Sequence, residues 1–203
     1  MSHYFETPDD PGPTRTITAT IWGRRFDFTT SGGVFSGTRL DPGTAVLLRS
    51  VDPPASPGPR LLDLGCGYGP IAVALAAACP SAHVVAVDVN DQALRLTRTN
   101  AARAEVAVEV VRPDDVPPDA RFDEIWSNPP IRIGKDALHV LLASWLGRLT
   151  PIGRAYLVVG RNLGADSLQT WLEGQGWPCD RLASAKGYRV LRVTSSVELS
   201  TGQ

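Results

Sequence analysis

The segment from Leu61 to Pro70 constrains the fold of this chain more than any other. It reads Leu-Leu-Asp-Leu-Gly-Cys-Gly-Tyr-Gly-Pro, and it passes from an apolar run through three alternate glycines into the alanine-rich run Ile71 to Ala78. A short apolar run favours a buried strand, and the small apolar residues after it favour a helix packed on a sheet. Pro70 suits the first turn of that helix. The segment therefore predicts a strand, a tight loop and a helix.

The three glycines, Gly65, Gly67 and Gly69, predict a seat for a small molecule. Glycine allows sharp turns and lets a ligand approach the main chain closely. In the dinucleotide-binding fingerprint the third glycine lies three residues after the second, and here that position is Pro70. The spacing argues against a pyrophosphate and therefore against a nicotinamide-dependent oxidoreductase. Taken alone, the loop is also compatible with a glycine-rich turn that binds nothing.

Two carboxylates accompany the loop. Asp63 lies at the end of the preceding strand and would suit a ligand that carries a positive amine or sulfonium group. Asp88 ends the run His83 to Val87, roughly 20 residues past the glycines, which is the interval at which a carboxylate in such folds takes ribose hydroxyls. Together they favour S-adenosylmethionine as the ligand.

A second motif, Ser127-Asn128-Pro129-Pro130, follows the apolar run Phe122 to Trp126. Open α/β sheets bind ligands at the carboxyl ends of their strands, so we expect this motif beside the glycine loop. Proline fixes the backbone and lacks an N–H, so Asn128 contributes a side-chain amide and Pro129 a bare carbonyl. Such acceptors can take both hydrogens of an amino group and stabilise positive charge developing on its nitrogen. An ordinary strand-terminating turn is the alternative.

Strand-like and helix-like runs alternate from residue 60 onward, which predicts a parallel sheet with helices on both faces. The strand-like runs include Val106 to Val111 and Ala155 to Val159. The last two, Arg181 to Ser184 and Tyr188 to Thr194, are joined through Lys186-Gly187. Two late strands joined by a glycine turn predict one antiparallel member of the sheet.

The residues before the core predict a smaller unit. Thr16 to Ile21 and Phe26 to Phe28 alternate as in a β-hairpin, and Asp41 is placed to cap a helix. The connector Asp52 to Pro59 contains four prolines in eight residues and ends this unit. We therefore expect an N-terminal appendage over residues 1–59 and a cofactor-binding catalytic core over residues 60–203, forming one compact unit overall.

Composition limits the function classes. The chain has 203 residues, 43% of them hydrophobic, which fits one domain with a sizeable core. A net charge of −1 gives no global basic signature of a stand-alone nucleic-acid binder, so any RNA contact must use a local patch. The absence of long apolar runs and of a signal-like N-terminus predicts a cytoplasmic protein without membrane segments. The three cysteines form no closely spaced pair, so we expect reduced thiols and no metal.

The two motifs together, Asp-Leu-Gly-Cys-Gly-Tyr-Gly-Pro-Ile and Ser-Asn-Pro-Pro-Ile-Arg, make the chain similar to the class I S-adenosylmethionine-dependent methyltransferases. More narrowly, it resembles the small-domain group that contains the RsmC-type 16S ribosomal RNA guanine-N2 methyltransferases. The resemblance covers nearly the whole chain and includes His3-Tyr4-Phe5, Gly33-Val34-Phe35-Ser36 with Leu40-Asp41, and Lys186-Gly187-Tyr188. It implies a Rossmann-like fold with a seven-stranded, mostly parallel sheet, one antiparallel strand, helices on both faces and an N-terminal β-hairpin.

The resemblance also implies how the cofactor is held. Asp63, Gly65 and Gly67 would hold its methionine part, Asp88 its ribose and Asp114 the edge of its adenine. Further cofactor contacts are implied on the N-terminal side of the pocket and at the second motif. They involve Phe35, within Gly33 to Phe35, together with Asp41, Thr44 and Asn128.

On the acceptor side, the resemblance implies that Asn128, Pro129 and Pro130 present the target amine and carry catalysis. Ile131 stands where many amino methyltransferases have an aromatic residue that stacks on a flipped base, so Phe35 is a candidate substitute. Three substrate contacts complete the predicted site. They are Ile131 itself, Arg132 and Lys135, the last two as phosphate contacts.

The function expected from these features is methylation of an exocyclic amine of RNA, with guanine N2 of 16S ribosomal RNA as the acceptor. Ribosomal RNA or the small ribosomal subunit would be the partner, and the protein would be a monomer or homodimer. Longer members of the group carry an additional, degenerate methyltransferase-like half, so their RNA recognition does not transfer to this chain. A protein glutamine N-methyltransferase and a non-catalytic cofactor-binding module are the alternatives.

Overall fold

The computed structural model describes residues 13–32 and 39–195. Nine strands and five helices lie within these ranges, together with three short 3₁₀ turns. In chain order they are β1 (Thr14–Ile21), β2 (Arg24–Ser31), α1 (Pro42–Ser50), β3 (Arg60–Leu64), α2 (Pro70–Ala78), β4 (His83–Val87), α3 (Asp91–Arg103), β5 (Glu109–Val111), β6 (Phe122–Ser127), α4 (Lys135–Leu146), β7 (Leu149–Gly160), α5 (Ala165–Gly174), β8 (Cys179–Ala185) and β9 (Tyr188–Thr194). The 3₁₀ turns are Pro113–Asp115, Ile131–Ile133 and Arg161–Leu163.

Seven of the strands form one sheet in the order β5-β4-β3-β6-β7-β9-β8. β9 runs antiparallel to both of its neighbours, and the other pairs are parallel. Because side chains alternate across a strand, Leu61 and Leu62 enter different hydrophobic clusters on the two faces. Helices α1, α2 and α3 contribute to one cluster and α4 and α5 to the other. The predicted fold class is confirmed.

The N-terminal hairpin is part of the core rather than a separate layer. β1 and β2 pair over their whole length around a turn at Trp22 and Gly23, whose φ angles of 46° and 77° are typical of a tight hairpin. Phe26 and Phe28, at 5% and 1% exposure, belong to the same cluster as α1, α2 and α3. The described parts of residues 1–59 and 60–203 therefore share one hydrophobic core.

Asn100 ties this hairpin to the glycine loop. Its side-chain nitrogen donates to the carbonyls of Thr29, at 2.9 Å, and Tyr68, at 2.8 Å, and its oxygen accepts from the Thr29 N–H at 2.7 Å. All these groups are buried or half-buried, so the three bonds replace water that the backbone would otherwise need. One side chain on α3 thus fixes β2 against the loop between β3 and α2.

Two strand boundaries differ from the sequence prediction. The predicted strand Val106 to Val111 begins only at Glu109, because the Val106 N–H still bonds to the Ala101 carbonyl. Glu105 adopts a left-handed φ of 56°, which closes the end of α3 as a Schellman turn does. Because hydrophobic alternation does not indicate such a cap, the predicted strand included Val106, which belongs to the cap. β7 is longer than predicted and contains an irregular register against β6.

No helix in the described ranges is both long and apolar enough to span a bilayer.

Candidate active site

The glycine loop follows β3 and requires glycine by its backbone conformation. Gly65, Gly67 and Gly69 have φ angles of 76°, 58° and 84°, in the left-handed region that side chains disfavour. At Gly69 a Cβ atom would also lie 2.7 Å from Cγ2 of Thr97. The loop therefore packs directly on α3, and Gly69 is needed there for space as well as for conformation.

Asp88 connects this loop to the end of β4. Its Oδ2 accepts from the N–H of Gly67 at 2.9 Å and its Oδ1 from the N–H of Asn90 at 2.9 Å. Burial raises the pKa of Asp88 above its usual value, although both hydrogen bonds act in the opposite direction. The side chain also borders a cavity, and a carboxylate has about four lone-pair sites, so Asp88 keeps acceptor capacity for a hydroxyl group of a ligand.

Asp63 lies beneath the loop and is fully buried. Its Oδ2 accepts from the N–H of Ala72 in α2 at 2.9 Å, and its Oδ1 has no hydrogen-bond partner. Burial raises the pKa of this carboxyl to about 7, and the nearby charge of Asp88 adds to the effect. Asp63 does not itself border the cavity, which begins at the adjacent Leu64 and Gly65. A buried carboxylate with an unpaired oxygen favours a cation nearby.

The cavity opens at the carboxyl ends of the parallel strands. The glycine loop and Asp88 form one side, and Asn128 and Pro130 form the other. The start of α1 closes it through Asp41 and Thr44, and Leu141 of α4 adds an apolar wall. This is the edge at which an open α/β sheet binds its ligand.

The Asn-Pro-Pro motif forms a tight turn at the end of β6. Pro130 has φ −75° and ψ 73°, and the N–H of Ile131 bonds to the carbonyl of Pro129 at 2.8 Å, as in an inverse γ-turn. The carbonyl of Pro129 is therefore partly used within the turn. Its second lone pair remains for an external donor. The rigid turn holds Asn128 at the cavity wall.

Asn128 is oriented by α1. Its Nδ2 donates to Oδ1 of Asp41 at 2.7 Å and to Oγ1 of Thr44 at 3.1 Å. Both bonds involve the amide nitrogen, which leaves Oδ1 as the acceptor of a side chain that borders the cavity. The sequence indicated Asp41 as a helix cap but gave no signal for this contact, because 87 residues separate the two side chains.

The predicted site residues do not all reach the cavity. Those that border it are Asp41, Thr44, Gly65, Gly67, Asp88, Asn128 and Pro130. Asp114 is exposed in the turn after β5, and its neighbour Pro113 borders the cavity instead. Pro129 is buried. Phe35 lies outside the described residues.

Three further predicted residues follow the turn. Ile131 is half-buried and packs against the cluster formed by α4 and α5, so its side chain is engaged in the core. Arg132 and Lys135 are exposed. The residues that the sequence did not indicate are mainly apolar wall positions, whose roles depend on packing. They include Tyr68, Val87, Ala93, Pro113 and Leu141.

The environment of Cys66, the cysteine in the glycine loop, does not activate its thiol as a nucleophile. Cys66 is 4% exposed, and burial together with the charges of Asp63 and Asp88 raises the pKa of its thiol well above the usual value. A neutral thiol is a weak nucleophile and a poor metal ligand. Across residues 13–32 and 39–195, no three His, Cys, Asp or Glu side chains are grouped as metal ligands.

Comparison with known families explains this arrangement. Residues 25–192 match the family model described as "Methyltransferase small domain". The chain belongs to this family. It is therefore a methyltransferase, and the cavity between the glycine loop and the Asn-Pro-Pro turn is its candidate active site.

Relatives from bacteria are similar to the chain over most of its length. The uncharacterized protein YbxB of Bacillus subtilis (strain 168) is 30% identical over 195 residues, which cover 94% of this chain and 96% of YbxB. Ribosomal RNA small subunit methyltransferase C of Pseudomonas entomophila (strain L48) is 30% identical over 201 residues, covering 96% of this chain and 55% of the relative. The chain thus spans little more than half of that relative, but nearly all of YbxB.

A solved structure shares the fold closely. The 16S rRNA N2 G1207 methyltransferase RsmC of T. thermophilus, in complex with AdoMet and guanosine, superposes with a TM-score of 0.81 at 28% identity. The alignment covers 93% of this chain and 52% of that chain.

The residues of this methyltransferase fit S-adenosylmethionine. Asp88 offers acceptors for a ribose diol, and the φ angles of the glycine loop leave its backbone open to close approach. The unpaired Oδ1 of Asp63 lies buried beneath the loop, where a sulfonium or ammonium cation would compensate its charge.

Proposed function

We propose that this methyltransferase transfers a methyl group from S-adenosylmethionine to an exocyclic amine of RNA, guanine N2 of 16S ribosomal RNA being the acceptor. The observation that carries the proposal is that Asp41 and Thr44 hold the side-chain nitrogen of Asn128 at the wall of the cavity, which leaves its amide oxygen as an acceptor. An amide oxygen fixed in this way accepts a hydrogen bond from an N–H or O–H donor, and an exocyclic amine supplies such donors.

The chemistry follows from the difficulty of methylating such an amine, whose lone pair is delocalised into the ring. S-adenosylmethionine supplies an electrophilic methyl group when it is bound. Oδ1 of Asn128 would accept one N–H bond of the amine and turn the nitrogen lone pair toward that methyl group. It would also stabilise the positive charge that develops on nitrogen as the N–C bond forms and the S–C bond breaks, while the buried Pro129 keeps the turn rigid. The amine proton then leaves to solvent, so proximity and acceptor geometry supply the catalysis.

The distribution of charge supports RNA as the acceptor. The flank of the sheet edge at β4 and β5 carries carboxylates, including Asp88 and Asp114. The opposite flank carries four exposed cationic residues, which we name the basic rim: Arg132, Lys135, Arg161 and Lys186. The ion pairs of that flank involve other arginines, Arg181 and Arg189, both with Asp166. A local cationic patch beside the acceptor turn fits a polyanion and compensates for the near-neutral net charge.

The basic rim is also structurally coherent. The N–H of Arg161 bonds to the carbonyl of Gly187 at 2.8 Å, so the turn after β7 and the turn between β8 and β9 are held together. Neighbouring strands lie about 4.8 Å apart, so side chains at the ends of β6, β7 and β9 form a row across the edge. Phosphate contacts along such a row would position the strand that carries the target base. We propose the assembled small subunit or its RNA as the partner and the cytoplasm as the place of action.

A protein glutamine amide presents the same two hydrogens, and it is the competing acceptor. A cationic rim gives no advantage to a neutral amide in a protein, so the charge distribution favours RNA. A cofactor-binding module without turnover would leave the orientation of Asn128 without a purpose. Both alternatives predict different outcomes in the following experiment.

The test is transfer of labelled methyl groups to three separate acceptors: 30S subunits, naked 16S RNA and a release factor. Wild type is compared with Asn128→Ala, and Gln175→Ala serves as a matched control because it removes an exposed amide at the far end of α5. We expect label in RNA with wild type and the control, and a loss of about 100-fold or more with Asn128→Ala. Label in the release factor, or cofactor binding with no transfer to any acceptor, would overturn the proposal.

A further inference from the structure

The side chain of Asp41 performs two tasks with one oxygen atom. Oδ1 accepts from the N–H of Thr44 at 2.9 Å, which caps α1, and from Nδ2 of Asn128 at 2.7 Å. Asp41 is 9% exposed, so these bonds lie in a largely dry environment where hydrogen bonds to a charged group are strong. The first helix and the acceptor turn therefore meet at a single carboxylate.

The identity of this residue matters for the direction of the Asn128 amide. An ionised carboxylate only accepts hydrogen bonds, so it bonds to the nitrogen of an amide and repels the oxygen. Thr44 Oγ1, at 3.1 Å from the same nitrogen, adds a second acceptor. With the amide rotated by 180°, its oxygen would face Asp41, and the cavity would be lined by an N–H donor that cannot bind an amine hydrogen.

We propose that Asp41 is a positioning residue for methyl transfer. Its carboxylate holds the Asn128 amide in the orientation that presents Oδ1 to the acceptor amine, and it makes that orientation depend on the capped start of α1. The inference rests on the proposed transfer to an amine. It assigns a role in the acceptor step to a residue otherwise explained as a helix cap.

Three substitutions at Asp41 separate the two tasks. Asp41→Ser keeps a good cap for Thr44 but is too short to reach Asn128. Asp41→Asn keeps at the position of Oδ1 an oxygen that can accept from both partners, while it removes the charge and places an NH₂ group at the other oxygen, which neither bond uses. Asp41→Ala removes the cap and the contact together. Since Ser, Asn and Asp are similarly good helix caps, the first two variants should fold with little change in melting temperature.

The activity pattern expected from this role is specific. Asp41→Ser should lower kcat by about 10- to 100-fold, since a misplaced catalytic group costs up to this factor. Asp41→Asn should retain most of the wild-type kcat, which amounts to rescue by the conservative variant. The KM for the RNA acceptor should change much less than kcat in both variants. Equal kcat values for Asp41→Ser and wild type would overturn the proposal.

A double-mutant cycle tests whether Asp41 acts through Asn128. Once Asn128 is replaced by Ala, there is no amide left to orient, so adding Asp41→Ser should produce no further loss of kcat. A purely structural role would instead reduce kcat independently in both backgrounds. Additive losses would therefore refute the positioning role.

A measurement on the ligand-free protein keeps this inference apart from the proposed function. In ¹⁵N NMR spectra, the side-chain amide of Asn128, assigned by its absence in Asn128→Ala, should show two distinct and slowly exchanging protons. Asp41→Asn should preserve these signals, and Asp41→Ser should lose their protection. If wild type methylates none of the three acceptors, the proposed function fails. The NMR result still decides whether Asp41 holds the Asn128 amide. Unchanged amide signals in Asp41→Ser would overturn the inference whatever the activity.

Discussion

Replacing Asp63 with Asn provides a quantitative test of the site's electrostatics. Asp63 is fully buried, and its pKa is raised to about 7, mainly because burial disfavours the charged form. An ordinary Asp in the unfolded chain titrates near 3.8. The amide oxygen of Asn can still accept from the N–H of Ala72, so Asp63→Asn should preserve the contact with α2. The substitution therefore removes the charge and keeps the shape.

The sign and size of the pH dependence of the unfolding free energy follow from the linkage between proton binding and folding. Between pH 4 and pH 7 the native wild type holds a proton that the unfolded chain has released, so its stability falls as the pH rises. The rise of the Asp63 pKa from 3.8 to about 7 corresponds to a loss of about 4 kcal/mol of unfolding free energy by pH 8. This loss accumulates at up to about 1.4 kcal/mol per pH unit. Asp63→Asn lacks this contribution. The unfolding free energy of wild type minus that of the variant should thus fall between pH 4 and pH 7 and become constant above it.

Urea unfolding of the ligand-free proteins at several pH values measures this difference. Groups that do not interact with Asp63 titrate alike in both proteins and cancel in the subtraction. A difference that stays flat between pH 5 and pH 8 would refute the buried, proton-binding state of Asp63. Titration calorimetry of cofactor binding provides a second test of the Asp63 charge, because a cation in the cofactor favours the ionised carboxylate. Affinity for S-adenosylmethionine should weaken about fivefold from pH 7 to pH 6 in wild type and stay level in Asp63→Asn.

The remaining predictions concern the loop, the hairpin and the basic rim. Gly69→Ala should lose about 2 to 4 kcal/mol of unfolding free energy, through left-handed strain and contact with Thr97, whereas Gly65→Ala should lose only the strain of about 1 to 2 kcal/mol. Asn100→Ala removes three buried hydrogen bonds and should cost about 3 kcal/mol in the same urea assay, with weaker cofactor binding. Neutralising two residues of the basic rim should raise the KM for RNA and lower its salt dependence by about one to two ions. The matched double variant of the exposed Arg49 and Arg95 should change neither, and equal effects of both double variants would contradict an RNA-binding rim.

Local sequence patterns predicted most of the architecture because each depends on neighbouring residues. The alternation of strands and helices, the cap at Asp41 and the loop at Gly65 to Gly69 are all set by hydrophobic period or backbone conformation. The start of β5 was misplaced because Val106 still belongs to the cap of α3, which a left-handed Glu105 closes, and glutamate is not a residue typical of that conformation.

The functional geometry was less accessible from sequence, since it depends on packing between distant segments. Asp63 was predicted to lie beside the loop and to hold the methionine part of the cofactor, and its burial beneath the loop, with a bond to α2, could not be read from the sequence. The contact between Asp41 and Asn128 joins residues that no local pattern relates. Asn100 likewise connects β2 to the glycine loop through a side chain whose sequence context indicates only a helix.

The measurement that tests the central claim most directly is nucleoside mass spectrometry of 16S RNA from 30S subunits incubated with the protein and S-adenosylmethionine. We predict that wild type produces N2-methylguanosine and that Asn128→Ala produces almost none while binding the cofactor with unchanged affinity. Methylated RNA in equal amounts from both proteins would contradict the role of Asn128. A reaction in which wild type leaves every guanosine unmethylated would contradict the proposed activity.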